Sequence, residues 1–473
     1  MSNIIFVSAG LQSPKKGAAP VFRRQRYLNY GLLSLANSAA VQNGHVFHGH
    51  FDPPSETIGN IASAVDVTKC TICLLSCPSF LSLKWAVDFV EEAARKFSDI
   101  KFVVGGRWVV DGNLDLVKRK LNHVDIVFEG IGEGKISELL DESLSCEYQR
   151  CGRAREVFEE TQLSYLDYAK LSDPLAFVPS FEGSRGCGAG CMFCAEAAVR
   201  LTKLKPPALL SEEIERYTET VPSGVRRFYL ETSNFTPLFD WIQKFIAERN
   251  HRGLEDVLWR TEARVDMFSQ RNVEGLARAG LKVLDLGLES ASHQQLVRMG
   301  KTRDPASYLA RCSRLIRTAA DNGIMIKLNV LLYPGESRAT IAETTEWLDT
   351  HRDYFQGVSA FPTVYYGLRP SSDPTLEQYL ALGASLVEPA VSDGIQNINL
   401  SREIPYPDSE VLARQISQRF MTADQYFALK SFSYFDPRYT WDEFIAESSK
   451  TPQDMLTFRK SQGDAAPALA PLF

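Results

Sequence analysis

Between residues 176 and 363, a short apolar segment is followed by an amphipathic one, and the pattern repeats six times. Candidate strands fall at 176–182, 227–231, 258–264, 283–288, 324–331 and 357–363, with candidate helices at 211–220, 238–248, 273–279, 305–320 and 337–350. Strands alternating with helices build a parallel sheet through right-handed crossovers. Closing a barrel takes eight such units. Six therefore predict a partial, open (β/α)6 barrel, with its functional groups at the carboxyl ends of the strands.

Residues 1–150 alternate in the same way, with strands expected at 3–8, 46–50, 69–75, 101–104 and 125–128 and helices at 30–43 and 83–97. The pattern predicts a doubly wound, Rossmann-like α/β domain, whose ligand would lie beyond the strand ends. Those ends carry Ser8, Ser76, Gly105, Gly106 and Gly130, small residues that let a large flat ligand approach the backbone. Residues 151–175 carry few patterns and read as a connector. Residues 364–473 read as a mostly helical region, with helices near 376–386, 410–418, 423–432 and 441–447 that close the open side of the barrel or shape a substrate pocket. The Ala/Pro-rich stretch 465–471 is expected to be mobile.

A chain of 473 residues suggests two or three domains, and 44% hydrophobic with 23% charged residues suits a soluble protein with a sizeable core. The net charge of −6 gives no reason to expect nucleic acid as the main partner. Nine cysteines with no secretory segment at the start predict reduced thiols and a cytoplasmic setting. No apolar run approaches the ~18 residues of a membrane span.

The chemistry concentrates in Gly186-Cys187-Gly188-Ala189-Gly190-Cys191-Met192-Phe193-Cys194, three thiols spaced C-x3-C-x2-C directly after the first barrel strand. Glycines let the backbone curl around a small inorganic core. Three thiolates can hold three irons of a cubane cluster and leave the fourth open to a ligand. A structural zinc site usually closes with four ligands in paired spacing, and the nearest histidines, His123 and His251, are distant in sequence. Cys70, Cys73 and Cys77 invert the spacing, but strand geometry turns Cys70 and Cys73 to opposite faces, so burial accounts for them better than a second cluster.

The cysteine motif resembles the signature of the radical S-adenosylmethionine (radical SAM) enzymes, in which the residue at the position of Phe193 lies against adenine. Further along the chain, the resemblance implies other contacts to S-adenosylmethionine. Glu231, or the hydroxyls of Thr232 and Ser233, stand where the family holds the methionine amino group. Arg264 stands where it contacts the methionine carboxylate. Gly287-Leu288-Glu289-Ser290 matches the segment whose acid binds the ribose, and Leu331 occupies the apolar slot flanking adenine. Asn329 and Tyr333 replace glycines usual there, so Tyr333 either crowds the adenine or reaches toward substrate.

Tyr30-Gly31-Leu32, Asn43-Gly44-His45-Val46, Val104-Gly105-Gly106 and Glu129-Gly130-Ile131-Gly132-Glu133 resemble the cobalamin-binding domain that precedes many radical SAM domains. Ser76, Gly105, Gly106 and Gly130 would line its ligand. The D-x-H-x-x-G motif of cobalamin mutases is absent. The resemblance implies a [4Fe-4S] cluster, S-adenosylmethionine and cobalamin as cofactors, an external donor such as flavodoxin or ferredoxin, and carbon methylation of a small metabolite or natural-product precursor. Two rivals stand beside it. One is a radical rearrangement, cyclisation, oxidation or sulfur insertion without methyl transfer. The other is an iron–sulfur redox sensor that does not turn over.

Overall fold

The computed structural model describes residues 3–11, 19–39, 45–106, 109, 114–130, 132–133, 135–136, 140, 166–194, 196, 199–367, 373–391 and 394–460. The expected connector up to 165, the stretch 465–471 and Ile131 lie outside the described residues. Two compact units emerge. One comprises Met1–Ala18, Phe22–Phe177 and Arg216–Gly224; the other comprises Ala19–Val21, Val178–Glu215 and Val225–Phe473.

The first unit is built on five parallel strands, β1 (Asn3–Ser8), β2 (His45–His48), β3 (Thr71–Ser76), β4 (Ile100–Gly105) and β5 (Ile126–Val127), in the order β2-β1-β3-β4-β5. The central β3 is buried on both faces, as its apolar sequence requires. Helix Leu83–Lys96 turns Trp85, Phe89 and Ala93 onto the sheet at i, i+4 spacing, where Phe102 and Phe47 meet them. Cys73 and Cys77 are fully buried, and burial pushes both thiols well up. The strand order reverses between β1 and β3, the switch point at which doubly wound sheets bind ligands.

The second unit holds six parallel strands, β6 (Ser180–Glu182), β7 (Arg227–Glu231), β8 (Leu258–Arg264), β9 (Leu281–Glu289), β10 (Met325–Leu332) and β11 (Gly357–Pro362), in sequential order. The outermost strands β6 and β11 do not pair with one another, so this is the open barrel that six repeats predict. Strand β6 is shorter than the expected 176–182. Pro174 opens a 3-10 turn over Pro174–Ala176, and Pro179 has no N–H for the ladder. The C-terminal region carries helices Tyr406–Phe420, Ala423–Ser431 and Trp441–Lys450. It also holds a small antiparallel sheet of β12 (Val364–Tyr366), β13 (Ser385–Leu386) and β14 (Ile395–Asn399). The helix expected over 376–386 stops at Ala381, because Gly383 takes a left-handed φ of 88° and turns the chain into β13. Among the described residues, no helix is long and apolar enough to cross a membrane.

Strand alternation turns every second barrel residue into the lumen. At its base Arg260 is fully buried, donating to Asp285 through Nε at 2.6 Å and Nη2 at 2.9 Å, with Lys327 Nζ 3.1 Å from the same carboxylate. Arg260 Nη1 also donates to the carbonyl of Leu429 in helix Ala423–Ser431. Burial alone would raise the Asp285 carboxyl, but Arg260 and Lys327 outweigh it and hold the group well below the usual carboxylate range. Breaking a buried pair by removing one partner strands a charge. Arg260→Met is therefore expected to lower unfolding free energy by about 3–5 kcal/mol in denaturant titrations. Arg226→Ala, which removes the exposed pair with Asp256, should change it by about 1 kcal/mol or less.

Candidate active site

The cysteine loop leaves β6 on three left-handed glycines, Gly186 (φ 71°), Gly188 (φ 65°) and Gly190 (φ 74°). Its entry and exit are stitched together by Cys187 N to Val199 O at 3.0 Å and Thr202 N to Arg185 O at 2.9 Å. Gly186 sits so close to the returning chain that a Cβ there would lie 2.3 Å from the Arg200 carbonyl oxygen. Cys191 is buried, Cys187 partly so, and Cys194 exposed. Partial burial pushes the Cys194 thiol up, and Cys191 and Cys187 add to that push. Among the described residues, no three Cys, His, Asp or Glu side chains close to metal-ligand distance.

Residues from the ends of β8, β9 and β10 gather around this loop. Arg264 donates from Nη1 to Cys191 Sγ at 3.3 Å, from Nε and Nη2 to the Asp266 carboxylate at 3.1 and 3.2 Å, and from Nη2 to the Lys301 carbonyl at 2.8 Å. Its guanidinium is thus an anchor on the loop, already engaged by an acid two residues away. Lys301 places Nζ 3.1 Å from Glu289 Oε1 and 5.9 Å from the centre of the Phe193 ring. Met192 N donates to Met299 O at 2.9 Å and fixes the loop to the same turn.

Glu289 is one of two non-glycine residues among those described with positive φ, at 64°. The register of β9 against β10 slips there, passing from Gly287 to Glu289 and skipping Leu288. This bulge keeps the Glu289 side chain on the lumen face, over Gly287, where a Cβ would meet Glu289 Oε1 at 2.5 Å and Lys301 Nζ at 3.1 Å. Such a left-handed conformation costs roughly 1 kcal/mol in an L-residue and marks a position held for a purpose.

Not every residue singled out from sequence reaches this cluster. The Ser290 hydroxyl is fully buried and shares a hydrogen bond with Thr344 at 3.0 Å in helix Arg338–Thr350, so it serves packing behind the strand. Thr232 is likewise buried against Thr261 at 3.1 Å. Ser233 stays half-buried at the strand end. Glu231 points into the lumen and accepts from Ser180 Oγ at 2.9 Å. Phe193 and Leu331 pack against Met299, Tyr333, Tyr365 and Tyr379. Tyr333 is buried with its ring 6.2 Å from Phe193 and 5.5 Å from Tyr379, and its hydroxyl has no hydrogen-bond partner among the described residues. Burial raises that hydroxyl to about 12.

In the first unit, Asn29 Nδ2 lies 3.1 Å from both Ser8 Oγ and Ser76 Oγ, joining the ends of β1 and β3 across the switch point. Cys77 N donates to Gly105 O at 2.8 Å, which sets Gly105 and Gly106 beside Ser76; Gly130 follows β5 on the same edge. These strand ends present small side chains and backbone, a floor that suits a large planar ligand. Sequence reading overlooked the neighbouring His48, His50 and Phe177: the two imidazoles stack at 5.4 Å and the phenyl ring is tilted against them at 4.8 and 5.4 Å. Burial lowers His48 to about 3, so its imidazole is neutral and its Nε2 accepts from Asn29 N at 3.0 Å. The signal was there as His-Gly-His at the end of the second strand. Lys301 and Asp266 were also missed, since neither lies in a motif.

Inside the barrel, burial and then Glu262 push Glu231 up to about 8, against the pull of Ser180. Burial and then Asp285 push Glu262 up to about 7, against Lys327 and Arg260. A carboxyl whose folded-state proton affinity is raised contributes stability at low pH and loses it as pH climbs through the raised value. Melting temperature is therefore expected to fall between about pH 4.5, the ordinary glutamate value, and pH 8, and the Glu231→Gln/Glu262→Gln double variant should flatten that fall in calorimetry. In Gly186→Ala, where the Cβ has no room, iron uptake by the cysteine loop after anaerobic reconstitution should drop several-fold.

Residues 181–348 match the model of the radical SAM superfamily. An uncharacterised methyltransferase of Pyrococcus horikoshii is 24% identical over 317 residues, which is 59% of this chain and 64% of that protein, so the match spans less than two thirds of the relative. The cobalamin- and [4Fe-4S]-bound radical S-adenosylmethionine methyltransferase TsrM from Kitasatospora setae superposes with a TM-score of 0.56 at 14% identity, covering 76% of this chain and 72% of that one. The cobalamin-dependent S-adenosylmethionine radical enzyme OxsB, with aqua-cobalamin and S-adenosylmethionine bound, gives 0.56 at 15% identity, over 80% of this chain and 55% of its own. At these identities the structural matches establish the fold.

Proposed function

We propose, from the premise that this chain carries a radical SAM domain in the architecture of the cobalamin-dependent radical SAM enzymes, that it methylates carbon on a small metabolite or natural-product precursor. The single observation that carries the reading is the convergence of Arg264, Lys301, Glu289 and Phe193 on a curled three-cysteine loop at the carboxyl ends of the barrel strands. When bound, a [4Fe-4S] cluster on Cys187, Cys191 and Cys194 supplies the electron that splits S-adenosylmethionine to methionine and a 5′-deoxyadenosyl radical, and cobalamin carries the methyl group.

The chain's own residues bind and orient. Arg264 neutralises charge on Cys191 and offers its guanidinium to the methionine carboxylate, in exchange with Asp266. Glu289, poised by its bulge, accepts from the ribose hydroxyls once Lys301 shifts. Phe193 and Leu331 border the adenine, with Tyr333 closing the apolar wall behind them. Of the three candidates for the methionine amino group, Ser233 is the one at the strand end whose side chain is not committed to packing or to the lumen. Ser76, Gly105, Gly106 and Gly130 form the floor offered to cobalamin. An external flavodoxin or ferredoxin delivers the electron.

Cys191→Ala tests the reading. In anaerobically reconstituted protein with dithionite, 5′-deoxyadenosine should fall to background, while hydroxocobalamin bands still co-purify at unchanged stoichiometry. Retained cleavage would refute the cluster assignment. Cleavage by the wild type without cobalamin binding, and product without a new methyl group, would move the rearrangement reading ahead.

A further inference from the structure

Met192 and Phe193 are neighbours in the cysteine loop with opposite surroundings. Phe193 packs inward against Met299 and Tyr333, whereas Met192 is 48% exposed. The Met192 side chain lies over Gly300, where a Cβ would come within 3.0 Å of its Cγ. Gly300 N donates in turn to the Val297 carbonyl at 3.0 Å, and Val297, in helix His293–Arg298, is 55% exposed. Single exposed apolar side chains are ordinary on a protein surface. Here two of them adjoin across an exposed glycine beside the three cysteines, and adjoining apolar surface of this kind is what protein partners bury.

A separate observation concerns charge. The whole chain carries −6, yet the surface on either side of these residues is basic. Arg303, two residues after Lys301, is exposed, and no acid or acceptor among the described residues engages its side chain. Arg200, whose carbonyl packs against Gly186, is exposed and equally unengaged. Arg298 spends one donor on the Gly335 carbonyl at 2.6 Å, has no acid within salt-bridge distance among the described residues, and acts at longer range on the buried Glu336. The nearby acids do not cancel these charges at the surface. Asp304, next to Arg303 in sequence, turns back to the Ser307 N–H at 3.1 Å and caps helix Pro305–Asp321, and Glu196 on the cysteine loop is half-buried.

We propose that Met192 and Val297, with Arg200, Arg298 and Arg303 beside them, form the docking surface for the acidic one-electron carrier protein that reduces the cluster. The proposal rests on the reading of the three-cysteine loop as a [4Fe-4S] site. One electron leaves the reduced carrier and enters the cluster, and no atom passes between the two proteins. Electron transfer weakens steeply with distance, so the carrier has to dock beside this loop rather than elsewhere on the barrel. An apolar centre with a charged rim suits a small, transient interface of that kind. The rest of a chain of net charge −6 repels an acidic partner, so local cations steer the encounter to this face.

The probe is a recombinant flavodoxin, titrated in its oxidised form against the reconstituted full-length protein by microscale thermophoresis, at low salt and at about 0.3 M. The wild type should bind it, and more weakly at the higher salt. Val297→Asp/Arg303→Glu should weaken binding by about tenfold or more. Arg278→Glu, the same charge reversal at the exposed end of helix Gln270–Arg278, should leave binding unchanged. Iron content, and bleaching of the cluster absorbance by dithionite, which needs no docking, should match the wild type in both variants. Equal flavodoxin binding by the double variant, or preferential binding of a single-stranded oligonucleotide by the wild type, overturns the surface. So does a loss of dithionite bleaching together with carrier binding, which traces the defect to the loop. Absence of bleachable absorbance in the wild type refutes the cluster reading on which the proposal rests, and binding, measured without electron transfer, keeps the two failures apart.

Discussion

The second unit depends on how a polar barrel lumen keeps its charges compensated. The Arg260–Asp285 pair, fully inside the protein, does this at the base. Its geometry ties β8 to β9 directly, β10 through Lys327, and the C-terminal helix Ala423–Ser431 through the Leu429 carbonyl. Buried ion pairs are seldom a net gain in stability over apolar packing, because desolvation opposes them. What this one contributes is specificity of arrangement. Two charges that can be satisfied in only one register keep three strands and the returning C-terminal chain in step. An open barrel, lacking the closure that fixes register in a complete one, has particular need of such a pin.

From that base the lumen changes character toward the mouth. At the base each charge has a close partner. At the mouth, charges are also paired, but through contacts a ligand can replace: Arg264 with Asp266 across two residues, and Lys301 with Glu289 beneath Phe193. Lys301 and the Arg264 guanidinium are joined through the Lys301 carbonyl, so displacement of one is felt by the other. Left-handed backbone occurs at Glu289 and at three glycines of the cysteine loop, the two segments that Lys301 touches through Glu289 and Phe193. Local strain and exchangeable pairs thus occur together at the carboxyl ends of the barrel strands, where the proposed reading seats the cosubstrate.

Much of this was legible in sequence, for reasons of period and spacing. Six strand-helix repeats announce an open barrel, since each repeat has its own apolar signal. C-x3-C-x2-C with interleaved glycine announces a curled thiol loop, because both the turns and the ligands are written locally. Glu289 was found because it lies in a segment that resembles a family motif. Less legible were features that exist only between elements. Lys301 lies in a turn after β9, with no local pattern, and its meeting with both Glu289 and Phe193 follows from tertiary packing. Ser290 illustrates the opposite failure. It sits in the matching segment, yet strand alternation past the bulge turns it to Thr344. The small sheet of β12, β13 and β14 escaped notice because strands of two to five residues are too short for a period to show.

The acidic row is the clearest case of information that sequence holds but does not display. Glu182, Glu231, Glu262 and Asp285 are spread over more than a hundred residues, and only the register of four parallel strands makes them neighbours. Once aligned, they set a problem in electrostatics that the protein solves with cations at both ends and with raised proton affinity in the middle. Relief by one more lysine would be simple, since β10 already supplies one at Lys327. In its absence, burial and the neighbouring acids raise the proton affinity of Glu231 and Glu262, so that a bound proton rather than a further cation relieves the middle of the row. Arg260 holds Asp285 at the edge of the same row, so the crowding of the acids cannot shift the strands. The buried ion pair and the raised carboxyls beside it are two consequences of one arrangement of charge.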